Sequence, residues 1–175
     1  METRIGVQIQ MPNRLVIDFR DPAQVLGWTP VNDRVMGGVS TSQATATADG
    51  MAFSGVVSLD NNGGFASIRA LPCEYGLAGV STLILRVQGD CKTYKFGIRT
   101  DHAYDGVQYQ MRFTTQAGEW QDIHLPINEF QATFRGRTVQ APALDPARIR
   151  VFGLLISDRQ AGPFQLVVES ITAQF

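Results

Sequence analysis

The chain has 175 residues, of which 44% are hydrophobic and 18% charged, and its formal net charge is −1. That balance suits a single globular domain with a core that needs no covalent staples. It excludes a disordered chain, and the missing basic footprint argues against a nucleic-acid partner.

Period-two alternation recurs along the chain, and no segment reads as a long helix. Leu15 to Phe19 opens the folded part as a strand. Asp21-Pro22 through Gly27 supplies an N-cap, a proline at the first helical position and a terminating glycine, which predicts one or two helical turns. Ser40 to Thr47 and Met51 to Leu59 read as strands joined by a hairpin at Asp49-Gly50. Strands follow over Phe65 to Ala70, Thr82 to Gln88, Thr93 to Thr100, Gln108 to Thr115, Trp120 to Leu125, Ile149 to Ser157 and Phe164 to Gln174. Short strands separated by turns indicate an all-β fold. The expected architecture is an antiparallel β-sandwich of the jelly-roll kind, one domain over residues 1–175 with its folded core over about 14–175.

The alternation also assigns faces. Tyr94, Phe96 and Ile98 should point inward and Lys95, Gly97 and Arg99 outward. Tyr109, Met111 and Phe113 should oppose Gln108, Gln110 and Arg112. Ala66, Ile68 and Ala70 should oppose Phe65, Ser67 and Arg69. If these strands are neighbours, one sheet carries Arg69, Lys95, Arg99, Gln110 and Arg112 on its outer surface. Such a surface is either an ordinary solvated face or a concave one that receives a polar ligand or a partner. Of the fifteen basic residues thirteen are Arg, a type suited to bidentate contact with carboxylates.

Cys73 and Cys91 have no His or Cys near them at ligand spacing, so both are expected to be free thiols, buried or partly so, in a reducing compartment. The first ten residues contain no long apolar stretch and no cleavage site. No segment approaches the roughly 20 apolar residues that span a bilayer. A soluble, cytoplasmic protein is expected.

Two loops stand out. Trp28-Thr-Pro-Val-Asn-Asp-Arg-Val-Met-Gly-Gly-Val-Ser40 combines an aromatic, an amide, a carboxylate, a guanidinium and a glycine pair. Asn61-Asn62-Gly63-Gly64-Phe65-Ala66-Ser67-Ile68-Arg69 follows. These two segments, with Gly89-Asp90, Tyr94-Lys95-Phe96, Trp120, Pro126, Phe130, Phe134-Arg135-Gly136-Arg137 and Asp158-Arg159-Gln160-Ala161-Gly162-Pro163-Phe164, resemble the family of complex I intermediate-associated proteins of the thirty-kilodalton type. A short chain without a transit peptide resembles the bacterial members of that family, so a bacterial member is expected. The resemblance implies a galactose-binding-like jelly roll akin to carbohydrate-binding modules. Mitochondrial members act as assembly factors for respiratory complex I and plastid relatives serve photosystem biogenesis, so the resemblance implies a comparable role in assembly. One departure is Cys91, where the family tends to carry glycine; a positive φ there would suit glycine and strain cysteine.

No catalytic constellation emerges. Asp33, Asp60, Asp90, Asp101, Asp105 and Glu119 show no spacing that singles out a pair facing one bond. His102, within Asp101-His102-Ala103-Tyr104-Asp105, reads as a solvated loop residue and His124 as an outward strand residue. Nucleophile elbow, phosphate loop and dinucleotide fingerprint are all missing. Asp18, Asp21 and Glu169 would be the oxygens for a structural calcium of the kind such sandwiches carry, but no metal and no cofactor is expected. The loops either brace one end of the sandwich, with Asp33 held by Arg34 or Arg69, or they bind. The expected function is non-catalytic binding in the assembly of a respiratory or membrane complex through protein–protein contact; the alternative is a module that binds carbohydrate. The candidate binding residues are Trp28, Asn32, Asp33, Arg34, Met36, Asn61, Asn62, Phe65, Arg69, Lys95, Arg99, Arg112, Arg135 and Arg137.

Overall fold

The computed structural model describes residues 12–32, 37–101 and 105–175. The strands are β1 (Arg14–Asp18), β2 (Thr29–Pro30), β3 (Thr41–Thr47), β4 (Gly50–Val57), β5 (Ala66–Arg69), β6 (Thr82–Gln88), β7 (Thr93–Arg99), β8 (Gln108–Thr114), β9 (Trp120–Pro126), β10 (Gln131–Phe134), β11 (Arg137–Thr138), β12 (Val151–Ile156) and β13 (Gly162–Gln174). They form two antiparallel sheets. A six-stranded sheet runs β3-β4-β13-β6-β9, with β1 also paired to β13, and a seven-stranded sheet runs β11-β10-β8-β7-β12-β5-β2. The all-β expectation holds.

One continuous core fills the space between the sheets. Phe53 of β4, Leu83 and Leu85 of β6 and Leu166 of β13 meet Tyr94, Phe96 and Ile98 of β7 and Phe152 of β12, all essentially inaccessible to water. Each such side chain contributes about 1.5–3 kcal/mol of transfer free energy. Rings interlock edge to face, Phe53 on Phe164 at 4.9 Å, or tilted, Phe96 on Phe152 at 5.3 Å.

Local structure refines or corrects the sequence reading in four places. The hairpin turns at Ala48-Asp49, one residue early, because Thr47 pairs with Gly50. The Thr47 hydroxyl closes the turn by donating to the Gly50 carbonyl at 2.8 Å. Gly50 instead opens β4 with φ 144°, and a Cβ there would lie 2.2 Å from the Val168 carbonyl oxygen. The helical turn is a single 3-10 turn over Pro22–Gln24, capped by Asp21, whose carboxylate accepts from the Ala23 amide. Cys73 and Cys91 are free thiols, but both are exposed rather than buried, since they sit in connections outside the strands. The short strands β2, β10 and β11 escaped the sequence reading because none is long enough to show a period.

Candidate functional site

The two glycine-bearing loops meet at one end of the sandwich. The Asn32 side-chain oxygen accepts from the Ser42 hydroxyl at 2.6 Å and from the Ser67 amide at 3.1 Å. The Val31 amide donates to the Ser67 carbonyl, and the Ser67 hydroxyl donates back to the Val31 carbonyl. A single amide thus ties β3 of one sheet to β5 of the other. Trp28 is only 6% exposed and packs edge-on against Phe19 at 5.4 Å, so its indole belongs to the core and presents no ring to a partner. Asn61 and Asn62 are exposed and take the left-handed conformation, φ 54° and 59°, which Asn tolerates best among non-glycine residues. Phe65 is half-buried beside them. Asp33, Arg34 and Met36, which complete this loop, lie outside the described residues, as does His102.

A second corner joins the segment from Gly89 to Phe96 to the closing segment from Asp158 onward. The Asp90 carboxylate accepts from the Tyr94 hydroxyl at 2.9 Å, the Lys92 amide at 3.2 Å and the Gln165 amide at 2.9 Å. Burial first, and then the Asp90 charge, push the Tyr94 hydroxyl well above the usual phenol range. Tyr94 is fully buried, which removes it as a surface for stacking a sugar. Cys91 adopts φ 70° at this turn, the conformation that glycine would take without strain. Gln160 clamps the same corner. Its side chain accepts from the Thr93 amide at 2.9 Å and donates to the Thr93 carbonyl at 2.7 Å and the Ser157 carbonyl at 2.9 Å.

The outer face of the seven-stranded sheet gathers the remaining candidates. Register places Arg69 beside Gly153, Gly153 beside Gly97, Gly97 beside Gln110 and Gln110 beside Gln131. One step along the strands lie Leu155, Lys95 and Arg112; one step the other way lie Val151 and Arg99. The centre of the face is therefore backbone. The Gln108 amide lies directly over Gly97, where a Cβ would come within 2.0 Å of its nitrogen. Gln110 donates to the Gln108 side-chain oxygen at 3.0 Å. Glycine inside a strand weakens it and marks a place where another group comes close to the backbone.

Cations ring this floor. Lys95 reaches Asp158 at 3.3 Å and Arg112 reaches the same carboxylate at 2.8 Å. Arg135, at φ 49°, contacts Asp105 at 2.6 Å and stacks over the Phe134 ring at 5.1 Å. The Arg135 hydrogen bond holds the Asp105 carboxyl below the usual carboxylate range, and the charges of Arg99 and Arg69 act in the same direction. Arg99 itself is only 7% exposed and donates to the Gly106 carbonyl at 3.3 Å. Arg137 is exposed on the edge strand β11. Lys95, Arg99, Arg69 and Arg112 thus share one face, Arg135 borders it, and Trp28, Asn32, Asn61 and Asn62 serve elsewhere. Sequence reasoning missed Gly153, Gln108 and Gln131. The outward positions of β8 and β12 were the only signal for Gln108 and Gly153, and Gln131, on the short strand β10, had none.

The acidic residues are otherwise engaged. Asp18 pairs with Arg20 at 2.8 Å, and Glu169 pairs with Arg86 at 3.2 Å. Asp21 is a cap. Among the described residues no three His, Cys, Asp or Glu side chains group as metal ligands would.

By architecture the molecule falls in the class of carbohydrate-binding-module-like β-sandwiches. It is similar to the family 11 carbohydrate-binding module of Clostridium thermocellum solved with a β-1,3-1,4-mixed-linked tetrasaccharide, with a TM-score of 0.66 at 18% identity over 93% of this chain and 95% of that one. An agarase matches with a TM-score of 0.63 at 9% identity, over 94% of this chain and 25% of that one. These likenesses define the fold. The family is defined by sequence: residues 17–168 match complex I intermediate-associated protein 30, and the chain belongs to that family. The mitochondrial complex I intermediate-associated protein 30 of Mus musculus is 28% identical over 90% of this chain and 55% of its own length. An uncharacterized protein of Schizosaccharomyces pombe is 30% identical over 82% of this chain and 75% of its own. The chain spans 55% and 43% of the mouse and Neurospora crassa relatives. Among the described residues no helix is long and apolar enough to cross a membrane.

Proposed function

We propose that this protein is a non-catalytic binding protein that assists assembly of a respiratory or membrane complex, by protein–protein contact through the outer face of its seven-stranded sheet. The supporting observation is the charge pattern of that sheet. Its seven strands contain Arg69, Lys95, Arg99, Arg112 and Arg137 and no Asp or Glu. Membership in a family whose curated relatives are named for association with complex I intermediates points the same way. The test is comigration. In cells carrying a tagged copy, the protein should travel with a subcomplex smaller than the mature complex on native gels, and that subcomplex should stall when the gene is deleted. Normal assembly in the deletion strain, with no comigration, overturns the reading.

The alternative, carbohydrate binding on the same face, draws on the fold likeness to sugar-binding modules. Weighing against it, the outward positions of β5, β7, β8 and β12 carry no aromatic ring on which a sugar would stack, and the exposed Phe134 ring of β10 lies under the Arg135 guanidinium. Glycan arrays and a calorimetric titration with mixed-linked glucan separate the two readings.

A further inference from the structure

We infer that the glycine-floored trough on the seven-stranded sheet is built to receive an extended, acidic segment of a protein partner, laid along β7. The inference rests on the protein-binding reading above and names the chemistry of the partner.

Three observations carry it. The first is charge complementarity. Every side chain that these strands contribute in charged form is cationic, on a chain whose net charge is −1. The second is that the face already seats carboxylates, supplied by loops rather than by strands. Asp158 lies between Lys95 and Arg112 at 3.3 and 2.8 Å, and Asp105 lies on Arg135 at 2.6 Å. Both show the geometry an incoming side-chain carboxylate would use, and charge-assisted bonds of this length are the stronger kind. The third is the floor. Gly97 and Gly153 are register partners, both buried, and the side chain that covers them is the Gln108 amide, the movable end of a flexible side chain.

Spacing selects a polypeptide. Lys95, Gly97 and Arg99 follow at two-residue steps along β7, about 6.5–7 Å apart, and same-side residues of any extended chain repeat at that distance. Lys95 and Arg99, the cations of this row, are separated by Gly97 and lie about 13–14 Å apart, a separation that positions i and i+4 of an extended acidic segment match. Its backbone would lie over Gly97, with Gly153 alongside on β12, and the amides of Gln108, Gln110 and Gln131 offer both donors and acceptors to peptide groups. Arg69, Lys95, Arg112 and Arg135 would meet its carboxylates.

The experiment uses the full chain and a labelled twelve-residue peptide of alternating Glu and Thr. An alternating Gln-Thr peptide and polygalacturonate serve as comparators, read by fluorescence anisotropy at low ionic strength. The Glu-Thr peptide should bind, the Gln-Thr peptide should not, and added salt should weaken binding. The double substitution Lys95→Glu and Arg112→Glu should weaken it at least about tenfold. Gly97→Val changes no charge but fills the trough and should weaken it about fivefold. Arg14→Glu, on the other sheet, should leave it unchanged. In the unsubstituted protein, peptide should shift the NMR resonances of the Gly97 and Gly153 amides and of the Gln108 side chain, a readout independent of how the variants fold. The proposal is overturned if the acidic peptide fails to bind, if binding ignores Lys95, Arg112 and Gly97, or if polygalacturonate binds more tightly at the same residues. If peptide binding fails while comigration with an assembly subcomplex persists, only the acidic segment is lost. If comigration fails while peptide binding persists, only the assembly reading is.

Discussion

The two sheets handle charge in opposite ways. On the six-stranded sheet Arg86 contacts both Asp122 at 3.1 Å and Glu169 at 3.2 Å, Arg20 holds Asp18, and a bulge between Val168 and Ser170 brings Glu169 into this group. Its strands supply carboxylates as well as guanidiniums, and the network closes on itself. The strands of the seven-stranded sheet supply cations only, and the carboxylates that meet them arrive from loops at Asp105 and Asp158. A surface that satisfies its own charges has little to offer a charged partner. A surface that borrows loop carboxylates keeps a binding potential, because those carboxylates can be joined or displaced.

The largest effect expected from a substitution concerns the corner that joins the sheets. Asp90→Ala removes the acceptor of the Tyr94 hydroxyl and of two backbone amides, and should cost about 3 kcal/mol. Calorimetry should show a fall in Tm of roughly 6–12 °C. Asn32→Ala removes the amide bridge between β3 and β5, leaving the direct bond from the Ser42 hydroxyl to the Ser67 carbonyl at 3.0 Å, and should cost about 1–2 kcal/mol by denaturant titration. Neither substitution should change affinity for the acidic peptide in the folded protein; if either does, the division between a bracing end and a binding face is wrong.

A smaller effect sharpens the contrast between sheets. Glu169→Ala with Asp122→Asn makes the six-stranded face cationic as well, and should alter stability by about 1 kcal/mol or less, since exposed ion pairs contribute little. It should create no affinity for the peptide, because that face lacks a glycine trough; binding there would mean that charge alone suffices. The smallest effect is in acid. Asp105 has its folded pKa depressed by Arg135, so its share of stability is present above the unfolded value near pH 4 and is lost as pH falls through the folded one. An NMR titration should find Asp105 titrating below the ordinary range, and Arg135→Ala should raise it back toward that range.

Alternation in Tyr94 to Arg99 and Gln108 to Phe113 was enough to identify inward and outward residues, because side-chain direction in a strand is a local property with a period of two. The same locality explains the all-β class and most strand positions. Partners across space were not local. Nothing in the linear order says that β12 separates β5 from β7, and so Gly153 could not be placed beside Gly97 in advance. Nor could Trp28 be assigned to the core, or Asn32 to a brace, since both depend on what Phe19, Ser42 and Ser67 bring from other strands. Residue types and periodicity thus settled the longer strands and the sign of their charges. Only the pairing of distant strands decided which loops hold the shell together and which face is left with cations around a glycine floor, because long-range register is set by the packing of the whole core.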